Sequence, residues 1–340
     1  MMMDTRTKSS GRPPTLSSGY PNPLPPPDHL EALYKEVDLR YNLAIAGLTP
    51  QGFCEQGVVC MLKIKEYIKA GSLEQAYELN QKKNSCLLGG MLWLKMSSRT
   101  VGRAIDLSGL GLDVIEESEE EFRIGCMTTL RALEEHEGLD RYTGGALKES
   151  LRSIVGVQFR NLATVGGSIF GRFGFSDVMT LFLALDTQVE LFHGGRMELE
   201  SFSGQKRDRD LLVRLIVKKR PQRTAYVSMR NTRTDFPVLT CAASLDEGGA
   251  RLVFGARPQI ALVKKLEEET AEMLREGMLE EETAREVMER IAEQVPTASN
   301  MRAGAEYRSH LVRVLGRRSL MGLQKNQMGG TKEAEGGMRP

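Results

Sequence analysis

Two pairs of adjacent glycines hold the clearest chemistry in this sequence. Gly166-Gly167 stand between Thr164 and Ser168 in RNLATVGGSIFGRFGFSD (160–177), a run that otherwise reads as core. Gly89-Gly90 interrupt SCLLGGMLWLKMS (85–97) in the same way. Glycine in a strand-compatible run marks a bulge, a tight turn or the close approach of something else to the backbone. N–H groups without side chains above them form an anion-binding concavity, and a neighbouring hydroxyl adds a donor. Two such turns facing each other would hold a diphosphate; two tight turns without a ligand are the plain alternative. Neither pair follows GxGxxG, and no GxxxxGK[ST] is present, so a nucleotide would be held in another way. The four histidines (His29, His136, His193, His310) lie far apart, with no metal-ligand spacing and no nucleophile–histidine constellation. No catalytic side chain and no metal site are expected.

The elements that must position these turns are short and mixed. Met61 opens a strand-like MLKIK, Ser72 and Gln75 form a capping box, and a helix with Leu73, Ala76 and Tyr77 on one side follows. Strand-like pieces come at 104–107, 113–115 and 122–125. The helix TTLRALEEHE is expected to stop at Gly138 as its C′ residue. LKESLRSIV reads as helix, SDVMTLFLALD as a buried helix, and TQVELF and LLVRLIV as strands. Past Pro221, AYVSMRN, VLTCAASL and ARLVF read as three strands, the last two joined at Asp246-Glu247-Gly248-Gly249. From 262 to 320 the pattern is helical, with the charge runs at 267–290 read as solvated helix faces.

Composition bounds the function. The 340 residues carry 46 basic and 45 acidic side chains, so nothing recruits nucleic acid or an anionic membrane overall. No apolar run approaches the roughly 20 residues of a membrane helix, and the N-terminus lacks a signal-peptide core. The five cysteines (Cys54, Cys60, Cys86, Cys126, Cys241) are scattered and fit a reducing cytoplasm better than a disulfide framework. Seven of the thirteen prolines fall in residues 1–28, and none lies between Pro50 and Pro221. Residues 1–60 therefore read as a disordered or upstream extension, with Met61 the expected natural initiator. The tail 324–340 is polar and Gly-rich and is expected to be flexible.

The ordered set LLGG, IDL, RIGCMTTLRAL, SIVGVQFRNLATVGGSI, FSD and ALDTQVEL, ending in YRSHLVRVLGRRSL, resembles the FAD-binding subunit of molybdenum hydroxylases over residues 61–323. That family includes the flavoprotein subunits of xanthine dehydrogenase and carbon monoxide dehydrogenase. The resemblance implies an α+β chain: a two-subdomain, PCMH-type FAD-binding domain at 61–221, then a smaller α+β domain at 222–323 with a three-stranded antiparallel sheet and helices. It implies FAD as cofactor. Leu87, Leu88, Gly89, Gly90, Met91 and Leu92 would wrap the diphosphate from one side, and Ala163, Thr164, Gly166, Gly167 and Ser168 from the other. Asp177 matches the family acid that contacts the cofactor and suits sugar-type hydroxyls; its alternative reading is a helix cap shared with Ser176.

The resemblance also implies partners, namely a molybdopterin-containing large subunit and a [2Fe–2S] small subunit. Electrons would pass from the clusters through FAD to an acceptor such as NAD, with no protein acid, base or nucleophile required. The chain departs from the pattern at Met91 (Thr or His), Ser168 (Asn), Gly174 (Pro) and Val227-Ser228 (Lys), with Arg230 nearby but unplaced. A flavin-free structural subunit of the same complex is the alternative that Met91 and Val227 motivate. A self-contained flavin oxidase would need a substrate domain, for which 222–323 is short and charge-rich. GFCEQGVVC (52–60) partly resembles a piece of the iron–sulfur subunit, but a cluster needs four cysteine ligands and only Cys54 and Cys60 lie there. Cys86 and Cys126 are expected to be inert. Trp93, the single tryptophan, reads as core packing, with stacking on a cofactor ring or a partner as the alternative.

Overall fold

The computed structural model describes residues 61–330. The expectations for 1–60, including Cys54 and Cys60, and for 331–340 lie outside the described residues.

The described residues open with a small parallel sheet. Strand β1 (Lys63–Lys69) leads to helix α1 (Leu73–Gln81), then β2 (Ser85–Leu88), a 3-10 turn at Leu94–Met96, and β3 (Thr100–Asp106), in the order β1-β3-β2. The expected cap forms, with the return bond shifted to the residue before the N-cap. Ser72 Oγ accepts from the Gln75 N–H at 3.2 Å, and Gln75 Oε1 accepts from the Gly71 N–H at 2.7 Å. Because β2 stops at Leu88, Gly89-Gly90 follow the carboxyl end of an edge strand as a loop.

The second unit is a five-stranded antiparallel sheet with helices inserted into it. β4 (Ile115–Glu117) and β5 (Glu121–Gly125) precede a chain of short helices: α2 (Leu130–Glu135), α3 (Glu137–Tyr142), α4 (Ala146–Leu151), α5 (Val157–Arg160) and α6 (Val165–Phe170). The longer α7 (Asp177–Ala184) follows, then β6 (Thr187–Leu191), β7 (Gly195–Glu198), α8 (Leu199–Gly204) and β8 (Leu212–Lys218). The order β4-β5-β8-β6-β7 brings strands from both sides of the helical insertion together. Gly138 does not end α2. His136 closes that helix and its Nδ1 accepts from the Leu139 N–H at 3.1 Å, so it caps α3, which contains Gly138.

The third sheet has β9 (Arg223–Arg230), β10 (Pro237–Asp246), β11 (Gly249–Gly255) and β12 (Leu262–Lys265), antiparallel in the order β12-β11-β10-β9. It exceeds the expected three strands by one. β12 reads LVKK, too short for a period to show, and its lysines are typical of a protected edge strand. Helices α9 (Glu268–Glu276), α10 (Glu281–Glu293) and α11 (Ala305–Gly330) complete the fold. The last runs through the first residues assigned to the tail.

Strand β10 is buried at all ten positions because both faces of its sheet are covered. Its alternation divides two cores: Ala242, with Tyr226 and Val253, joins the core around α7, while Cys241 and Ala243 join the core built with α10 and α11. Helix α7, buried at every residue and apolar except at Asp177 and Thr180, packs against β10 and β11. Thr180 Oγ1 lies 3.0 Å from Thr240 Oγ1, and Ser244 Oγ donates to the Ala184 carbonyl, so polar contacts fix that packing.

Candidate functional site

The two glycine pairs meet. A β-carbon at Gly90 would fall 1.8 Å from the Leu162 carbonyl oxygen, and one at Gly89 would fall 2.9 Å from Thr164 Oγ1. The loop after β2 therefore packs against the segment entering α6, and only glycine permits that approach. The second pair is not a strand bulge or a simple turn: it lies in the first turn of α6. Thr164 is the N-cap, accepting from the Gly167 N–H at 3.1 Å. Gly166 packs on Cys126, where a β-carbon would fall 2.7 Å from the carbonyl oxygen, and its N–H donates to that oxygen at 2.8 Å.

The donors differ between the pairs. The N–H groups of Gly166, Gly167 and Ser168 are all engaged within the chain, the last with the Thr164 carbonyl at 3.1 Å. Ser168 Oγ also donates to that carbonyl, at 3.0 Å. By contrast, no hydrogen bond among the described residues engages the N–H groups of Gly89, Gly90, Met91 or Leu92. The expected two-sided set of donors is thus one-sided: the loop after β2 carries the free N–H groups, and the α6 side supplies a close, side-chain-poor wall. Sequence reasoning missed this because a glycine pair looks the same whether or not its amides are engaged.

A cavity of about 280 Å³ lies along this junction. Leu87, Gly89, Gly90, Met91 and Leu92 line it from the β2 side. Ala163, Thr164, Gly167, Ser168 and Asp177 line it from the other. Leu88 and Gly166 do not: Leu88 turns into a small core with Val101 and Ala104, and Gly166 is held against Cys126. Two lining residues, Met91 (φ 58°) and Val155 (φ 49°), have left-handed backbones. For a β-branched valine that is a marked strain, of the kind retained at binding sites. No residue type in the sequence announced it.

Asp177 begins α7, but Ser176 is the cap, its Oγ accepting from the Met179 N–H at 3.1 Å. The Asp177 carboxylate instead receives two side chains from β9. Arg230 Nη2 approaches Oδ1 at 2.5 Å, and Tyr226 Oη donates to the same oxygen. Arg230 also donates from Nη1 to the Asp235 carbonyl at 2.6 Å, while its buried Nε has no partner. Burial pushes the Asp177 carboxyl up, against the pull of Arg230 and Tyr226. Burial, with the charge of Asp177, pushes the Tyr226 hydroxyl well above its ordinary range. Arg230, left unplaced by the sequence, is therefore a cavity residue, while Val227 packs with the core on the other face of the sheet.

A cluster of aromatic rings lines part of the cavity. Trp93, Phe173, Phe175 and Phe236 all line it; Trp93 meets each of the other three, and Phe175 and Phe236 lie 4.5 Å apart at their centroids. Cys126 is inert by environment, burial pushing its thiol up to about 12. No group of three or more potential metal ligands exists among the described residues.

The residues present fit a dinucleotide. A row of unpartnered N–H groups can take a diphosphate, glycines clear its path, and the aromatic cluster suits a planar ring.

Comparison with known proteins agrees. Residues 62–219 match the family described as the FAD binding domain in molybdopterin dehydrogenase, and residues 224–323 match the CO dehydrogenase flavoprotein C-terminal domain. The chain is 26% identical over 257 residues to the uncharacterized protein YgfM of Escherichia coli (strain K12), covering 74% of this chain and 93% of that one. It is 26% identical over 289 residues to the putative xanthine dehydrogenase FAD-binding subunit XdhB of the same organism, covering 75% and 94%. Among solved structures, a cyanide-inactivated Cu,Mo-CO dehydrogenase chain superposes with a TM-score of 0.67 at 22% identity, covering 78% of this chain and 99% of its own. A chain of quinoline 2-oxidoreductase from Pseudomonas putida 86 gives 0.68 at 16%, covering 79% and 99%. At these identities the structures speak for the fold.

Proposed function

The chain belongs to the FAD-binding subunits of the molybdenum hydroxylases, an oxidoreductase family, and we propose that it is the electron relay of such a complex. Electrons would enter from a [2Fe–2S] small subunit served by a molybdopterin-containing large subunit, and leave to an acceptor such as NAD. Bound FAD supplies the redox chemistry. The chain's own residues bind and orient it: the N–H groups of Gly89, Gly90, Met91 and Leu92 hold the diphosphate. Ala163, Thr164, Gly167 and Ser168 form the opposite wall, and Asp177 with Arg230 presents a carboxylate–guanidinium edge. The observation that carries this reading is the row of four unpartnered N–H groups beside a wall whose own amides are engaged.

The proposed location is the cytoplasm. The free thiols Cys86, Cys126 and Cys241 support it, and no helix among the described residues is long and apolar enough to cross a membrane. The test is direct. Protein purified with its neighbouring subunits is expected to be yellow and to release about one FAD per chain on denaturation. A folded, colourless chain that takes up no FAD in their presence overturns the reading. Bleaching of the bound flavin by NADH supports a nicotinamide acceptor; failure to bleach, with dithionite still reducing it, points to another.

A further inference from the structure

We propose that Trp93 is the platform on which the isoalloxazine ring of the cofactor rests, an inference that depends on the flavoprotein reading above. Trp93 is the one tryptophan in 340 residues, and it follows directly on the loop whose N–H groups are free. It is not part of a hydrophobic core: the residue is 39% exposed and lines the cavity. A large apolar ring left open inside a binding cavity, rather than buried or on a plain surface, awaits a flat partner.

The indole is held ready for that partner. Phe236 lies nearly parallel to it, 5.7 Å away at 25°, and Phe173 and Phe175 each meet it at 6.1 Å. Phe236 is in turn braced by the Arg302 guanidinium, 4.9 Å from its centroid. A ring fixed by three others loses little freedom when a ligand stacks on it, so stacking adds to affinity almost undiminished. Of the two ring systems in FAD, the isoalloxazine is the one that must exchange electrons with partners. A platform on a residue two-fifths exposed leaves it reachable.

Stacking of a heteroaromatic ring on an aromatic side chain is worth about tenfold to a hundredfold in affinity. Contact with an indole also quenches flavin emission. The experiment titrates FAD into the deflavinated chain, held with its partner subunits, for wild type, Trp93→Phe and Trp93→Ala, and compares emission at equal occupancy. The expected results are a nearly dark bound flavin in wild type and several-fold brighter flavin in Trp93→Phe. Affinity is expected to fall about tenfold or more in Trp93→Ala. Where the alanine variant fails to fold, the emission of Trp93→Phe decides. A wild type that binds no FAD overturns the flavoprotein reading and this inference with it. A yellow wild type whose variants keep the same affinity and emission overturns this inference alone.

Discussion

Asp177 at the start of α7 and Arg230 at the end of β9 form a buried ion pair between the two matched domains, Nη2 to Oδ1 at 2.5 Å. The acid that the resemblance assigned to the cofactor thus ties the segment matching the FAD-binding domain to the segment matching the C-terminal one. Both side chains are more than nine-tenths buried, so removing either leaves a charge with no water to receive it.

Arg230→Met should therefore destabilise the chain by about 3–5 kcal/mol, read as a lower urea midpoint with unchanged slope. Adding Asp177→Asn to Arg230→Met should recover part of that loss, because the stranded carboxylate is gone. A double variant less stable than the sum of the singles contradicts the pairing. Tyr226→Phe, which removes one hydrogen bond to the charge, should cost about 1.5–3 kcal/mol.

The glycines separate by what surrounds them. Gly90→Ala forces a β-carbon into the Leu162 carbonyl and should prevent the loop after β2 from seating, with loss of FAD and a lowered Tm. Gly167→Ala meets nothing nearer than Thr164 Oγ1 at 3.2 Å, so it should fold and retain FAD with a modest loss of affinity. Gly167→Asp should fold but bind none, because it puts a negative charge in the wall facing the diphosphate. FAD retained in Gly90→Ala but lost in Gly167→Ala would reverse the assignment of the donor loop.

Val155 holds a left-handed backbone beside the cavity, which costs a non-glycine residue about 1–2 kcal/mol. Val155→Gly removes that strain and adds about 0.4–1 kcal/mol of unfolded-state entropy. The net change should fall between about zero and 1.6 kcal/mol on the stabilising side. Glycine at a strand position such as Val101, buried with an ordinary backbone, should instead destabilise strongly. Equal losses at both sites would mean that Val155 carries no strain.

How far the sequence reached depended on how local the cause was. Helix α1 announced itself through Ser72 and Gln75, and α7 through an apolar run broken only by Thr180, because capping and burial are written within a few residues. The meeting of Gly90 with Leu162, and of Asp177 with Arg230, depends on contacts across 72 and 53 positions that no window contains. Local chemistry singled out the glycine pairs and the resemblance added FAD and Asp177, but neither told which amides are engaged. His136 hid the break between α2 and α3 because histidine is an unusual cap, and β12 hid because LVKK is too short to show a period. Arg230 faces the cavity because β9 alternates: Tyr226 and Arg230 both reach Asp177 while Val227 turns away.

The lining around Ile154 and Val155 rests on a second buried pair, and its pH dependence can be worked out. Arg160 donates to both oxygens of Glu134, at 2.9 and 3.1 Å, and from Nη1 to the Ile154 carbonyl at 3.1 Å, so the pair holds the loop in place. Burial alone would push the Glu134 carboxyl up, but the bonds and charges of Arg160 and Arg131 hold it below the usual glutamate range. A carboxyl lowered in the folded state binds fewer protons there than in the unfolded chain at mildly acid pH. Its stabilisation is full above the ordinary glutamate value and is lost as pH falls through the lower, folded value. Wild type should therefore lose stability on acidification below about pH 4.5 more steeply than Glu134→Gln, with the two curves converging at the acid end. At neutral pH the glutamine variant should be less stable by about 3 kcal/mol and bind FAD more weakly, since the Val155 loop loses its anchor. Parallel curves across that range would show that Glu134 does not titrate with folding.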